Sequence, residues 1–135
     1  MRIEAIRKDI SAKTLRAMNI AGDPLTEVMR KAIQVFYDSY TPVRYHRDGI
    51  FKKSPEKGAA VSVGLGAMID LRDVDKGGHK FSSSSTWNDA IVFETAMHGS
   101  HGDYAWSADT WAITLSMIGS EYKPIVISAL AAAGL

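Results

Sequence analysis

Between Asp23 and Lys53 the chain reads DPLTEVMRKAIQVFYDSYTPVRYHRDGIFKK, and this stretch limits the possible folds more than any other. Asp23 has the chemistry of an N-cap, and Pro24 fits the first helical position, where a missing N–H costs nothing. Leu25, Val28, Met29, Ala32, Phe36 and Tyr40 then recur at steps of three and four, which predicts a main helix over 23–40 with one apolar face. Glu27, Arg30, Lys31, Gln34 and Asp38 fall mainly on the opposite face, with Glu27 and Lys31 in the favourable i,i+4 order. Thr41 precedes Pro42 and is disfavoured in helical geometry, so the helix is expected to stop near Tyr40.

Beyond that stop, Phe36, Tyr37, Tyr40 and Tyr45 crowd around Pro42, with Arg44, His46 and Arg47 interleaved, and Gly49-Ile50-Phe51 begins something extended. One reading is a helix-to-strand corner whose rings plug one end of the core. The other is that rings and guanidinium groups face a partner, because Tyr and Arg suit surfaces that are half apolar and half wet. On that second reading Tyr37, Tyr40, Tyr45, Arg44 and Arg47 are the interface candidates.

The remaining segments follow from local patterning. Residues 1–22 predict an N-terminal helix or two short ones, with Ile3, Ile6, Ile10, Leu15 and Met18 roughly on one side, Ser11 as a candidate internal cap and Ala21-Gly22 as the end. Ser54 to Gly58 has turn composition. Ala60 to Leu65 alternates as a strand does, with Met68 to Leu71 as its partner or its continuation. Residues 72–86, with Ser82 to Ser85, predict a long, exposed, mobile loop within a sheet region spanning 41–97. Ala90 to Met97 suits a strand or a short buried helix equally. Residues 98–135 then form a Gly/His turn followed by helices: one capped by Ser107 and stopped at Gly119, and a last one opened by Pro124 and closed by Gly134. The alanines of that last helix allow close backbone approach, to this core or to a neighbouring subunit.

A length of 135 residues suits one domain, 1–135, with a core that needs no staples. The absence of cysteine excludes disulfides, thiolate metal sites and thiol nucleophiles. Met1-Arg2-Ile3-Glu4 leads into a charged helix rather than an apolar leader, and the longest apolar run is too short to span a bilayer, so synthesis in a cytosol and no membrane partner are expected. The net charge of +1 hides an asymmetry: residues 1–57 carry +5 and residues 58–135 carry −4. A solvated mixture of charges explains this; so does a dipolar protomer whose basic side meets the acidic side of its neighbour.

Only His98-Gly99-Ser100-His101-Gly102-Asp103 has the residue types of a reactive site. His98, His101 and Asp103 could hold zinc, or a histidine could act as general base with Asp103 orienting it. Glycines flank histidines spaced i,i+3, and no His-Glu-x-x-His pattern is present, so a polar glycine-rich turn is the favoured reading and no metal, cofactor or catalytic set is expected. Gly64-Leu65-Gly66 lacks the third glycine and the Lys-Ser/Thr of a phosphate loop.

The run Phe36-Tyr37-x-x-Tyr40-x-Pro42-x-x-Tyr45-x-Arg47 resembles a pattern in the tail-completion, or head–tail joining (neck), family of long-tailed bacteriophages. Glu94 with the His98–Gly102 turn, and Tyr122-x-Pro124 followed by Ala129-Leu130, resemble that family's later segments. The corner has Val43-Arg44 where many members carry Thr-Gly, and the serine loop has no counterpart. The resemblance implies an α+β protomer: a small, mostly antiparallel sheet with a long N-terminal helix and C-terminal helices packed on it. It further implies a non-enzymatic virion structural protein, made in the host cytoplasm and placed at the head–tail junction or tail end. Its partners would be copies of itself in a homo-oligomeric ring, the connector or portal-side protein and the tail-tube protein, with genomic DNA a further candidate inside the ring. Two alternatives from the residues alone are a nucleic-acid or regulatory binding module using Arg44, Arg47, Lys52 and Lys53, and a small metal hydrolase built on His98, His101 and Asp103.

Overall fold

The computed structural model describes residues 2–38, 49–78, 89–98 and 110–135. The fold is α+β: a long N-terminal helix, two small antiparallel ribbons and a C-terminal helix packed on the first. Helix α1 spans Arg2–Asp38, a 3₁₀ turn spans Ile50–Lys53, and strands follow at Pro55–Lys57 (β1), Val61–Val63 (β2), Gly66–Met68 (β3) and Leu71–Asp73 (β4). Helix α2 spans Asp89–His98 and α3 spans Thr110–Ala132. Tyr40, Pro42, Arg44, Tyr45, His46, Arg47, Ser82 to Ser85, Trp87, His101, Asp103, Trp106 and Ser107 lie outside the described residues.

The two segments expected on either side of Gly22 are one helix. Gly22 and Pro24 stand inside α1, so Asp23 caps nothing. In an isolated helix a glycine costs about 1 kcal/mol and a proline about 3 relative to alanine. Here the surrounding packing outweighs both. A Cβ on Gly22 would lie 2.7 Å from Ile69 Cδ1 and 2.8 Å from Lys57 Cδ, so the missing side chain is what lets β1 and the β3–β4 connection cross the helix. The buried Thr26 hydroxyl donates to the Gly22 carbonyl at 2.7 Å, and Ala21, Leu25, Val28 and Met29 are all buried around the proline.

The C-terminal region is continuous as well. Gly119 and Pro124, expected to end one helix and begin another, both lie within α3. Gly134 does close it: its φ is 91°, its N–H donates to the Ala131 carbonyl, and the Leu135 N–H donates to the Leu130 carbonyl at 2.9 Å. That pair of bonds is the Schellman closure that a left-handed glycine permits.

Helices α1 and α3 run antiparallel, with Gly134 beside Lys13 at one end and Lys31 Nζ 3.7 Å from Glu121 at the other. Ala17 and Ala21 meet Ala129 and Ala133 between them, with Leu25, Ile118, Ile125 and Leu130 completing this cluster, so the C-terminal alanines serve the chain's own core. A second cluster closes the far end of α1 from Ile33, Phe36, Phe51, Phe93 and Met97, with Tyr37, Ala96 and Trp111 at its margin. Phe51 stands edge-on to both Phe36 and Phe93, at centroid distances of 5.6 and 5.8 Å. Ala90 to Met97 resolves as helix: Phe93, Ala96 and Met97 turn inward at helical spacing while Glu94 stays exposed. The Thr110 hydroxyl donates to the Ala96 carbonyl at 2.6 Å and ties α3 to α2.

The strands are nested ribbons. β1 pairs with β4 (Pro55↔Asp73, Lys57↔Leu71), and between them in sequence β2 pairs with β3 (Val61↔Met68, Val63↔Gly66). Pro55 to Lys57, expected within a turn, is therefore a strand, and Arg72 and Asp73, expected in a loop, are its partner. Ladder bonds from Gly58 to Asp70 and from Val74 to Ser54, each 2.8 Å, extend that ribbon. Ile50 to Lys53 is a tight helical turn rather than extended chain, entered through Gly49 at φ 78°.

Candidate interaction surface

The β2–β3 ribbon is built by Gly64 and Leu65. Gly64 takes φ 60° at the first central position while Leu65 keeps a negative φ, the arrangement of a two-residue type II′ hairpin turn. The ribbon lies along the N-terminal half of α1. The Ala60 N–H donates to Asn19 Oδ1 at 3.0 Å, and the Ser11 hydroxyl reaches the Gly64 carbonyl at 3.4 Å.

Register decides which side chains face out. Val61 sits opposite Met68, and Val63 shares their face; Ser62 sits opposite Ala67 on the other. The exposures are 51% for Val61, 58% for Val63 and 60% for Met68, with Leu65 at the tip 50% exposed, while Ala67 is half-buried. An antiparallel ribbon on a helix ordinarily puts its apolar side inward and its polar side to water. Here the large apolar side chains lie on an open face. On the other face Ala67 is half-buried and Ser62 exposed, while the four large apolar side chains each leave half or more of their surface uncovered. Single exposed apolar residues are ordinary; a contiguous group on one ribbon marks a contact surface.

Tyr37 is half-buried at the edge of the second cluster, with ring centroids 6.0 Å from Phe36 and 6.1 Å from Phe51. Lys52 Nζ bonds Gln34 Oε1 and stands 5.3 Å from the Tyr37 ring centroid, so this lysine is engaged within the protomer while Lys53 is exposed. The described part of the aromatic corner thus plugs the core; the other four interface candidates, Tyr40, Arg44, Tyr45 and Arg47, lie outside the described residues.

His98 ends α2 instead of opening a glycine turn. Its Nε2 lies 4.0 Å from Asp73 Oδ2 on β4, beyond hydrogen-bond reach, and its ring lies 6.4 Å from Trp111. Asp73, 25 positions earlier, was beyond any local spacing rule. Among the described residues no group of three or more His, Cys, Asp or Glu side chains could hold a metal ion. No helix among them is long and apolar enough to cross a membrane.

An open groove of about 350 Å³ lies between α1 and β1, lined by Asp23, Thr26, Glu27, Arg30, Pro55, Glu56 and Lys57. Lys57 pairs with Asp23 at 2.5 Å, Arg30 with Glu27, and Glu56 with Lys76. These exposed pairs contribute little stability and satisfy the groove's charges internally. The groove therefore offers less to a ligand than the hairpin offers to a protein surface. No family model, curated protein or solved structure matches the chain.

Proposed function

We propose that the protein is a structural subunit that works as a homo-oligomer, and specifically a bacteriophage tail-completion or head–tail connector component assembled as a ring. The observation that carries the first part is the outward apolar face of the β2–β3 ribbon. These side chains are 50–60% exposed, so covering Val61, Val63, Leu65 and Met68 against a neighbour would bring roughly 1 kcal/mol each, a favourable contribution to association that other contacts must supplement. The resemblance of the corner around Pro42 supplies the phage assignment, and the opposite charges of residues 1–57 and 58–135 suit a head-to-tail repeat. On this reading each protomer interlocks with the next, and the ring contacts the connector or portal-side protein and the tail tube within the virion, with genomic DNA passing through it.

Negative-stain microscopy and size-exclusion chromatography test this, with the protein alone and mixed with the connector or tail-tube protein encoded beside it. A closed ring in at least one mixture is expected. A monodisperse monomer at high concentration, unchanged by either partner, overturns the reading.

A further inference from the structure

Helix α1 outruns the helix that covers it. The stripe that packs on α3 through Ala17, Ala21 and Leu25 continues towards the N-terminus at Ile10, Ile6 and Ile3, at steps of three and four. Helix α3, however, stops at Ala132, and its Gly134 cap lies beside Lys13. Residues 2–9 are all exposed, Ile3 at 66% and Ile6 at 55%. Two turns of helix therefore carry isoleucine on the core-facing stripe, beyond the end of α3 and more than half exposed.

We propose that this overhang is the seam of a two-fold contact with a second copy of the chain, in which the α1 ends lie antiparallel and Ile3 of each copy packs on Ile6 of the other. Ile3 and Ile6 occupy the a and d positions of a short heptad, and antiparallel helices set a against d and g against g. The g positions are Arg2 and Asp9, so this register places Arg2 of each copy beside Asp9 of the other, twice by symmetry. A parallel pairing would set g against e, bringing Arg2 against Arg7 of the other copy, a like-charge contact. Charge thus selects both the second copy and its direction. Asp9 holds Lys13 of its own helix at 2.8 Å, yet its side chain is 60% exposed and open to a second cation.

Two isoleucine layers bury on the order of 400–500 Å², below the ~1,200 Å² of a stable free-standing interface. The contact is weak alone and gains strength when another interface holds copies close. It does not require a ring: an isologous contact closes on itself, joining two free protomers or two rings.

Cysteine cross-linking tests it, because the chain has no cysteine of its own. Ile3→Cys and Ile6→Cys alter exposed positions, so circular dichroism is expected to match the parent protein. On mild oxidation of a mixture of the two differently tagged variants, the mixed 3–6 disulfide forms faster than either homodimer and faster than any cross-link to Ile127→Cys, an equally exposed control on α3. Adding Arg2→Asp slows the mixed cross-link by about fivefold, and adding Asp9→Arg to that variant restores it. Equal rates for all pairs, or no cross-link above the Ile127→Cys control, overturns the seam. A ring without the 3–6 link removes this proposal and leaves the ring standing; the link without a ring does the opposite.

Discussion

A methyl group on Gly22 would sit 2.7 Å from Ile69 Cδ1, whereas one on Gly119 would meet nothing within 4 Å. Both glycines are inside helices, so at this scale the same residue type carries two opposite expectations. Gly119→Ala should stabilise the protein by about 0.5–1 kcal/mol, since alanine restricts the unfolded backbone and fits α3 without displacement. Gly22→Leu should destabilise it by about 1–3 kcal/mol, because a large side chain there must push β1 and Ile69 off the helix. Urea titration of both variants reads the two signs. Gly134, at φ 91°, stands apart from both: Gly134→Ala is expected to cost about 1 kcal/mol by straining the Schellman closure.

At the scale of elements, the two clusters divide the work along α1. Alanines let α3 approach closely at one end, and three phenylalanines stacked edge-on fill the other. Phe51 touches both remaining rings of that stack, so Phe51→Ala should cost about 3–5 kcal/mol, measured as a lowered denaturation midpoint with an unchanged slope. The apolar stripe of α1 and the closing role of Gly134 were legible in the sequence, because each follows from a local rule. The unbroken passage of α1 through Gly22-Asp23-Pro24, and of α3 through Gly119 and Pro124, was not: local rules treat these residues as punctuation, and at Gly22 the close approach of Ile69 and Lys57 overrides them, whereas Gly119 and Pro124 are exposed within α3. Pro55 to Lys57 was hidden for a related reason, since three residues of turn composition become a strand only when Leu71 to Asp73 pairs with them. The alternation of Ala60 to Leu65 announced a strand, but not that its valines would stay more than half exposed, because that depends on how the ribbon is held along α1 through Asn19 and Ser11. His98 was singled out from sequence; its neighbour Asp73 comes from a strand that sequence placed in a loop.

For the whole molecule, the account rests on self-association through the outward face of the hairpin. That face contributes nothing to either intramolecular cluster, so changing it should separate assembly from folding. Val63→Asp combined with Met68→Asp alters two side chains that are 58% and 60% exposed, and the thermal midpoint of the dilute protomer should move by no more than a few degrees. The most direct measurement is sedimentation velocity of the parent protein and this double variant over a hundredfold concentration range, with and without the connector or tail-tube protein. The account predicts a discrete oligomer for the parent, in at least one of those mixtures, and loss of that oligomer in the variant, which sediments no larger than a dimer joined at α1. A parent that sediments as a monomer throughout, or a double variant that assembles as the parent does, would contradict it.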